Sequence, residues 1–301
     1  MSTERHVEIP SDPSRLPMTL PRLADKKRLG EPVVMVTAYD YPSARAAEAA
    51  GVDLVLVGDS GAMTVLGYPS TVAVELDEML VLARAARRGL KTPFLIVDLP
   101  FGSYEISDEQ AITTAMRVVK EAGADAVKLE GGNPMSVARA AAIVSAGIPV
   151  MGHVGLTPQT STALGGYRAQ GRTGQAAARI AREALALQDA GCFSIVFEAM
   201  PSAVAAEIMP QMDAVIIGIG AGPSTDGQVL VFHDLLGIYE GLSPRFAKRY
   251  AQLKGDMVAG VSAYADEVRA GRFPGAEHTY SIDPEELDRF RSELEAARSP
   301  G

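Results

Sequence analysis

The sequence predicts an α/β fold, and within that class a (β/α)8 barrel. Short runs rich in Val, Ile and Leu alternate with segments that carry the 3.6-residue periodicity of helices, through most of the 301 residues. Each strand–helix–strand unit implies a right-handed crossover between parallel strands. The chain also has the length of single-domain α/β barrels. A doubly wound open sheet is the alternative, since it shows the same alternation.

The strand candidates are apolar runs bounded by Gly, Pro or polar residues. Seven of them span 33–40, 53–59, 94–99, 126–130, 149–154, 193–200 and 214–220. The eighth is ambiguous, because 228–236 suits a closing strand while Asp226 before it could cap a helix instead. We expect a strand there, which would close the barrel.

Helices are expected between the strands, with Gly, Pro or a capping residue at several of their ends. They span 20–29, 41–51, 76–89, 108–122, 133–147, 175–190 and 202–209. Thr19 is expected to cap the first helix, which would cover one end of the barrel, and Asp108 the fourth. Residues 1–18, with their prolines and charges, are expected to form a flexible leader. Residues 19–301 are then one barrel domain, with two or three amphipathic helices from Ser243 onward.

Composition excludes several function classes. The net charge of −9 argues against nucleic acid or an anionic membrane as a partner, and the basic cluster at 26–28 reads as a solvated helix end. Cys192 is the only cysteine, so the chain can form no internal disulfide, and a reducing cytoplasm is the expected compartment. Its apolar surroundings indicate a small core residue rather than a nucleophile. No apolar stretch is long enough to span a bilayer.

Three acidic residues stand at the trailing ends of consecutive strand candidates: Asp59, Asp98 and Glu130. In a barrel these ends surround the active site, so the three carboxylates are expected to be neighbours on its rim. Such a cluster repels itself and favours a cation, and oxygen ligands alone indicate a hard ion such as Mg²⁺. The alternative is that each acid merely caps the helix that follows.

Lys128 and Glu130 lie two residues apart on one strand, so their side chains share a face. An ion pair is costly to bury between sheet and helices, and we therefore expect both in the interior mouth. There Lys128 can neutralise a substrate carboxylate or a developing enolate oxygen. A plain internal salt bridge is the alternative.

Three further residues near strand ends complete the candidate site. Glu198 ends the sixth strand, too far round the ring to be an obvious fourth ligand, and is suited to act as a general base. His153 is expected to contact the substrate or to support other site residues. Ser60 belongs to no nucleophile pattern, so its hydroxyl and amide are better placed to hold a substrate carboxylate.

With these residues in place, the chain resembles the ketopantoate (3-methyl-2-oxobutanoate) hydroxymethyltransferase family from about Thr19 to Tyr280. Several specific stretches in order carry the resemblance: TAYDYPSA, LVGDS, MTVLGY, DLPFGSY, AVKLEGG, GHVGLTPQ, GGYRAQGR, IGIGAGPSTDGQVLVFHDLLG and PGAEHTY. Two departures are visible. Gly61-Ala62 stands where a Leu-Gly pair is common in the family, and Leu82 falls near a position often held by His.

The resemblance implies a (β/α)8 TIM barrel, a homodecamer built from two pentameric rings and a role in pantothenate and coenzyme A biosynthesis. It implies that Asp59, Asp98 and Glu130 bind Mg²⁺, that Asp59, Ser60, Asp98 and Lys128 bind the oxoacid, and that Glu198 accepts a proton. The implied reaction transfers a hydroxymethyl group from 5,10-methylenetetrahydrofolate to 3-methyl-2-oxobutanoate, giving ketopantoate and tetrahydrofolate.

Two other functions fit parts of the pattern. A lyase or mutase of the phosphoenolpyruvate-mutase and isocitrate-lyase type also uses Mg²⁺-bound oxoacids in a related barrel. Such lyases place a catalytic cysteine or phosphate-binding basic groups in a mobile loop, and the position of Cys192 before strand 6 counts against them. A barrel that binds a small acid without catalysis is the third possibility.

Overall fold

In the computed structural model, which describes residues 15–163, 165–239 and 244–298, eight parallel strands close into a barrel. The strands are β1 (Val33–Thr37), β2 (Leu54–Val57), β3 (Phe94–Asp98), β4 (Ala126–Lys128), β5 (Val150–Gly155), β6 (Ser194–Glu198), β7 (Val215–Ile219) and β8 (Gly227–Leu230). Closure is made by β1 and β8, with Val33 opposite Gly227. The predicted barrel is confirmed, and the open sheet is wrong.

Helices follow most of the strands, as the crossover argument requires. They are α1 (Leu20–Leu29), α2 (Tyr41–Ala50), α3 (Gly61–Thr64), α4 (Leu76–Gly89), α5 (Asp108–Ala122), α6 (Pro134–Ser145), α7 (Gly174–Asp189), α8 (Ser202–Ile208), α9 (Phe232–Leu236), α10 (Leu253–Arg269) and α11 (Pro284–Arg298). Thr19 caps α1 as predicted, through a bond from the Arg22 N–H to its hydroxyl. Asp108 does not cap α5, because Ser107 before it accepts the Gln110 N–H.

The ambiguous segment 228–236 divides between the two predicted structures. Its first residues belong to β8, which closes the barrel, and the rest forms α9. The helix begins at Phe232, whose N–H donates to the hydroxyl of Thr37, the last residue of β1, at 2.8 Å. Asp226 caps neither element, since its carboxylate accepts the Ile216 N–H at 2.7 Å.

The N-terminal end of the barrel is closed by α1. Leu23 of this helix packs into the apolar interior layer formed by alternate strand residues such as Met35, Leu54 and Ile96. Lys26 pairs with Asp53 at 3.2 Å and Lys27 with Asp226 at 2.7 Å. The expectation of a solvated basic helix end is therefore wrong for these two lysines, because the loop acids at the strand starts hold them.

Residues 15–18 are also attached to this end of the barrel. The Arg15 guanidinium donates to the carbonyl of Val52, and the Met18 N–H donates to the carbonyl of Thr92 at 2.7 Å. The remainder of the predicted leader lies outside the described residues.

The chain divides after Ala251 into two compact units. The second contains α10 and α11, in agreement with the helices expected in the tail. Tyr264 of α10 packs edge-on against Phe273, with ring centroids 5.5 Å apart. Among the described residues, none of the helices has both the length and the apolar character that crossing a bilayer requires.

Candidate active site

Polar side chains replace apolar ones at the C-terminal end of the barrel interior. Alternate residues of a strand face inward, and on β3 this series runs from Phe94 through Ile96 to Asp98. On the neighbouring β4 the series continues from an interior alanine to Lys128 and then Glu130. Lys128 and Glu130 therefore share the interior face, as their spacing predicts. The apolar layer below them excludes water from the base of the site.

Asp98 and Lys128 form a buried ion pair. The two residues are opposite each other in the register of β3 and β4, and the lysine Nζ donates to Asp98 Oδ1 at 2.7 Å. Burial alone would lower the pKa of Lys128, but the charges of the three strand-end acids outweigh it and raise that pKa. The lysine therefore stays protonated and compensates part of the negative charge.

Asp59 lies in the turn after β2, next to this pair. Its N–H donates to Asp98 Oδ2 at 3.0 Å. Burial raises the pKa of the Asp59 carboxyl well above its usual range, and the charges of Glu130 and Asp98 raise it further. The attraction of Lys128 does not cancel these effects. The acids are thus close enough to oppose one another's ionisation, which is the electrostatic condition that a bound cation would relieve.

His153 lies between Glu130 and Glu198 and joins the two sides of the mouth. Its Nδ1 is 3.3 Å from Glu130 Oε1 and its Nε2 is 3.1 Å from Glu198 Oε2. Neither contact has the angle of a well-formed hydrogen bond, so the attraction is chiefly between charges. Burial and Lys128 lower the pKa of His153, yet the two carboxylates outweigh them and raise it to about 9.

Glu198 is consequently less isolated than its place on the sixth strand suggests. It is held beside His153 and opposite Gly155 of β5 and Ile219 of β7. About 15% of its side chain is exposed, against 4% or less for Asp98, Lys128 and Glu130. Among these groups, Glu198 is the one that a molecule entering the mouth would reach first.

Ser60 follows Asp59 and precedes the short helix α3. Its hydroxyl is 2.8 Å from that of Tyr39, whose pKa burial raises to about 12. A Cβ on Gly58 would lie 2.9 Å from Ser60 Oγ and 3.4 Å from Asp98 Oδ2. Glycine at 58 therefore lets the hydroxyl and the carboxylate approach the same small space.

Gln159 is a site residue that the sequence argument did not single out. It lies in the turn after β5, and its Nε2 donates to Asp59 Oδ2 at 3.0 Å while its N–H donates to Glu130 Oε2 at 2.9 Å. Tyr104, in the loop after β3, donates its hydroxyl to Gln159 Oε1 at 2.7 Å. The sequence signal that could have identified both residues is that they lie in stretches that carry the family resemblance, Tyr104 in DLPFGSY and Gln159 in GHVGLTPQ.

The donor set at the mouth fits a hard divalent ion. It consists of carboxylate oxygens with surplus negative charge, and those are the ligands that Mg²⁺ prefers. In the described part of the chain, no three His, Cys, Asp or Glu side chains are gathered around a single point as a metal site built only from protein would require. Mg²⁺ is commonly held by one or two carboxylates together with water and substrate, so such a cage is not needed.

The two departures from the family pattern lie in contact with each other. A Cβ on Gly61 would be 2.7 Å from the ring of Tyr39 and 3.1 Å from Leu82 Cδ1. Tyr39 and Leu82 thus occupy space that a side chain at 61 would need. The two departures alter the packing behind Tyr39 and Ser60 rather than the acids.

Features outside the mouth do not compete with it as a site. Cys192 is buried in the layer between sheet and helices, and burial raises its pKa to about 12, so the thiol is unreactive. A cavity of about 820 Å³ lies elsewhere, lined by Val33, Gly222, Gln228 and neighbouring residues, and it contains none of the strand-end acids.

Solved structures of a hydrolase and a phosphomutase resemble this chain over most of its length. Phosphonopyruvate hydrolase matches with a TM-score of 0.57 and 15% identity, covering 93% of this chain and 97% of that one. Phosphoenolpyruvate phosphomutase from Streptomyces platensis subsp. rosaceus matches with a TM-score of 0.55 and 13% identity, covering 91% and 98%. At such identities the likeness shows the fold alone.

Sequence relatives are far more similar. The chain is 53% identical over 252 residues to a 3-methyl-2-oxobutanoate hydroxymethyltransferase of Thermus thermophilus, covering 83% of this chain and 95% of that protein. It is 49% identical over 292 residues to the mitochondrial 3-methyl-2-oxobutanoate hydroxymethyltransferase 1 of Arabidopsis thaliana, covering 95% and 84%. The family model of ketopantoate hydroxymethyltransferase matches residues 17–276. The chain is therefore an enzyme of the ketopantoate hydroxymethyltransferase family.

Proposed function

We propose that this enzyme transfers a hydroxymethyl group from 5,10-methylenetetrahydrofolate to 3-methyl-2-oxobutanoate, giving 2-dehydropantoate (ketopantoate) and tetrahydrofolate. One water is consumed and supplies the hydroxyl oxygen. The names of the relatives support the oxoacid substrate and the group transferred. The observation that carries the chemistry is the arrangement of a protonated lysine, a cluster of carboxylates and a more exposed fourth acid in one barrel mouth.

The cationic and hydroxyl groups of the mouth suit the binding of a 2-oxoacid. Lys128 is charged and lies against Asp98, so it offers positive charge to an incoming carboxylate or enolate oxygen without leaving its place. Ser60 presents a hydroxyl beside Asp98. We assign these residues, together with Asp59, to binding the oxoacid. Asp59, Asp98 and Glu130 are assigned to the Mg²⁺ site, where water and the oxoacid would complete the coordination, and the ion would supply Lewis-acid polarisation of the keto oxygen.

Glu198 is assigned the role of general base. It removes the proton from C3 of 3-methyl-2-oxobutanoate, and the electron pair of that C–H bond forms the enolate, whose oxygen Lys128 stabilises. The enolate carbon bonds to the one-carbon unit of the folate, the hydroxyl of one water also bonds to it, and both of its C–N bonds break. The two folate nitrogens that leave take up the remaining proton of the water and the proton removed from C3, which gives tetrahydrofolate. His153 lies 3.1 Å from Glu198 and attracts its carboxylate. Partial exposure lets Glu198 reach the substrate, while the better-buried acids keep their contacts.

The first experiment measures deuterium exchange at C3 of 3-methyl-2-oxobutanoate with Mg²⁺ and without folate. Wild-type enzyme should catalyse exchange, and Glu198→Gln should lose it by about 100-fold or more while still binding the oxoacid. Glu207→Gln, on the exposed surface of α8, is the matched control. Exchange retained in Glu198→Gln would remove Glu198 as the base. No exchange by wild-type enzyme would contradict proton removal from C3 in the absence of folate.

The second experiment tests the metal. Calorimetric titration of Mg²⁺ in the presence of the oxoacid should show weaker binding to Asp98→Asn than to wild type, because a ligand charge is lost. Asp25→Asn, on the exposed side of α1, should bind as wild type does. Wild-type affinity in Asp98→Asn would contradict the assignment of Asp98 as a ligand.

Two further expectations are also proposals: the resemblance implies a homodecamer of two pentameric rings, and the single cysteine favours the cytoplasm. The names of the plant relatives place those proteins in mitochondria, so the compartment has to be measured for this chain. Light scattering on the purified protein should give ten times the 31.7 kDa of one chain. A monomeric mass would contradict the proposed assembly.

A further inference from the structure

Gln159 connects the ends of three strands through its buried side chain and its backbone N–H. It belongs to a single 3-10 turn, Pro158–Thr160, and only 5% of its surface is exposed. Its Nε2 donates both to Asp59 Oδ2 and to the carbonyl of Leu99, each at 3.0 Å. Its backbone N–H donates to Glu130 Oε2 at 2.9 Å. The groups it contacts follow β2, β3 and β4, the strands that carry the proposed metal ligands.

The orientation of the Gln159 amide is determined by its surroundings. Both Asp59 Oδ2 and the Leu99 carbonyl accept hydrogen bonds, so the NH₂ group has to face them. On the other side Tyr104 donates its hydroxyl proton to Oε1 at 2.7 Å and accepts the Glu130 N–H at 3.3 Å. A rotated amide would set its oxygen against two acceptors. Tyr104 is buried as well, so no solvent can substitute for these partners.

Gln159 is neutral, so it cannot supply the cation that the clustered acids call for. What its hydrogen bonds determine is where the carboxylates of Asp59 and Glu130 point. In the unliganded cluster, mutual repulsion favours turning these groups apart. Two donors fixed on one turn resist that movement. A carboxylate oxygen that accepts one hydrogen bond also keeps a lone pair for another partner.

We propose that Gln159 is the positioning residue of the metal and oxoacid site, holding Asp59 and Glu130 in the orientation that binds the cation, and that Tyr104 fixes its amide. The inference rests on the proposed function, because it assumes that these acids bind a divalent ion. Hydrogen bonds that neighbouring residues make to metal ligands typically contribute a factor of about 10 to 100 to metal affinity.

The test is calorimetric titration of Mg²⁺ into full-length protein in the presence of 3-methyl-2-oxobutanoate. Gln159→Met keeps the length of the side chain and the backbone N–H but removes both amide groups, and its Kd should rise about 10- to 100-fold. Tyr104→Phe should show a smaller rise, because the amide is still present but no longer fixed. Thr160→Val is the matched control in the same turn. In the described part of the chain its hydroxyl bonds to Thr157, the residue just before the turn, and the Kd of the variant should stay that of wild type.

The outcomes separate this inference from the function on which it rests. If wild type binds no Mg²⁺ with the oxoacid, the proposed metal function fails, and the inference fails with it. If wild type binds and Gln159→Met binds equally well, the inference alone is overturned. An equal loss in Thr160→Val would also overturn it, because general damage to the turn would then explain the result. Should Gln159→Met not fold, Tyr104→Phe carries the test, and unchanged affinity in that variant would refute the role.

Discussion

Replacing Lys128 with methionine should strongly destabilise the barrel. The lysine and Asp98 are each about 4% exposed and are joined at 2.7 Å, so the substitution leaves a carboxylate buried without its cation. Removing one partner of a buried ion pair costs about 3–5 kcal/mol. Asp59 and Glu130 add to the repulsion, because their charges already help to hold the Lys128 pKa high. For a chain of 301 residues, whose entropy of unfolding is about 0.6 kcal/mol/K, the loss corresponds to a fall in Tm of about 5–8 °C.

The assay is thermal and urea unfolding followed by circular dichroism, without divalent metal. Lys120→Met, at the exposed end of α5, is the control and should change the free energy of unfolding by less than about 0.5 kcal/mol. Adding Asp98→Asn to Lys128→Met should restore part of the lost stability, since it removes the uncompensated charge. Added NaCl should change the difference little, because buried pairs are poorly screened.

Two results would refute this reasoning. One is a Lys128→Met variant as stable as Lys120→Met, which would mean that the Asp98 carboxylate is solvated or protonated without its lysine. The other is simple additivity in the double variant, which would mean that Lys128 and Asp98 do not interact.

Three further predictions concern the frame of the barrel. Burial raises the pKa of Glu48, but hydrogen bonds from the N–H groups of residues 92 and 91 outweigh it and lower that pKa. The resulting stability is present above the unfolded pKa near 4.5 and is lost as pH falls through the lower folded value. Glu48→Gln should therefore be less stable than wild type by about 2 kcal/mol at pH 7, and this deficit should shrink as pH falls below 4.5. Gly155 and Gly147 both have positive φ, and the strain of alanine at such a backbone conformation should cost Gly147→Ala roughly 1 kcal/mol. At Gly155 the added Cβ would also lie 2.2 Å from the Glu198 carbonyl oxygen, whereas nothing crowds it at Gly147. Gly155→Ala should therefore cost well over about 1 kcal/mol and should slow C3 exchange. Ser107→Ala should cost about 1 kcal/mol by removing the cap of α5.

These three predictions are checked by unfolding curves measured from pH 3 to 7. The glycine variants are also compared by their rates of deuterium exchange at C3. A constant deficit of Glu48→Gln at every pH would contradict the linkage argument. Equal losses in the two glycine variants would show that β5 and β6 can separate locally. No loss in Ser107→Ala would mean that the cap contributes nothing in this context.

The sequence by itself determined the features that depend on local periodicity. Alternation of apolar strands and helices predicted the closed barrel, and the two-residue spacing of Lys128 and Glu130 predicted that both side chains face the interior. The positions of Asp59, Asp98 and Glu130 at strand ends predicted that they would be neighbours. These properties follow from the short-range geometry of strands and from the rule that parallel strands end at the same edge.

Only the tertiary structure decided which groups pair. Gln159 reaches Asp59 across 100 residues of sequence, and His153 joins Glu130 to Glu198. The residues 228–236 form both a strand and a helix because a bond to Thr37, on the first strand, ends one and begins the other. Partners of this kind are set by the closing of the ring, which brings distant segments to the same point. No pattern within a single segment contains that information, because the same local sequence would suit several neighbours.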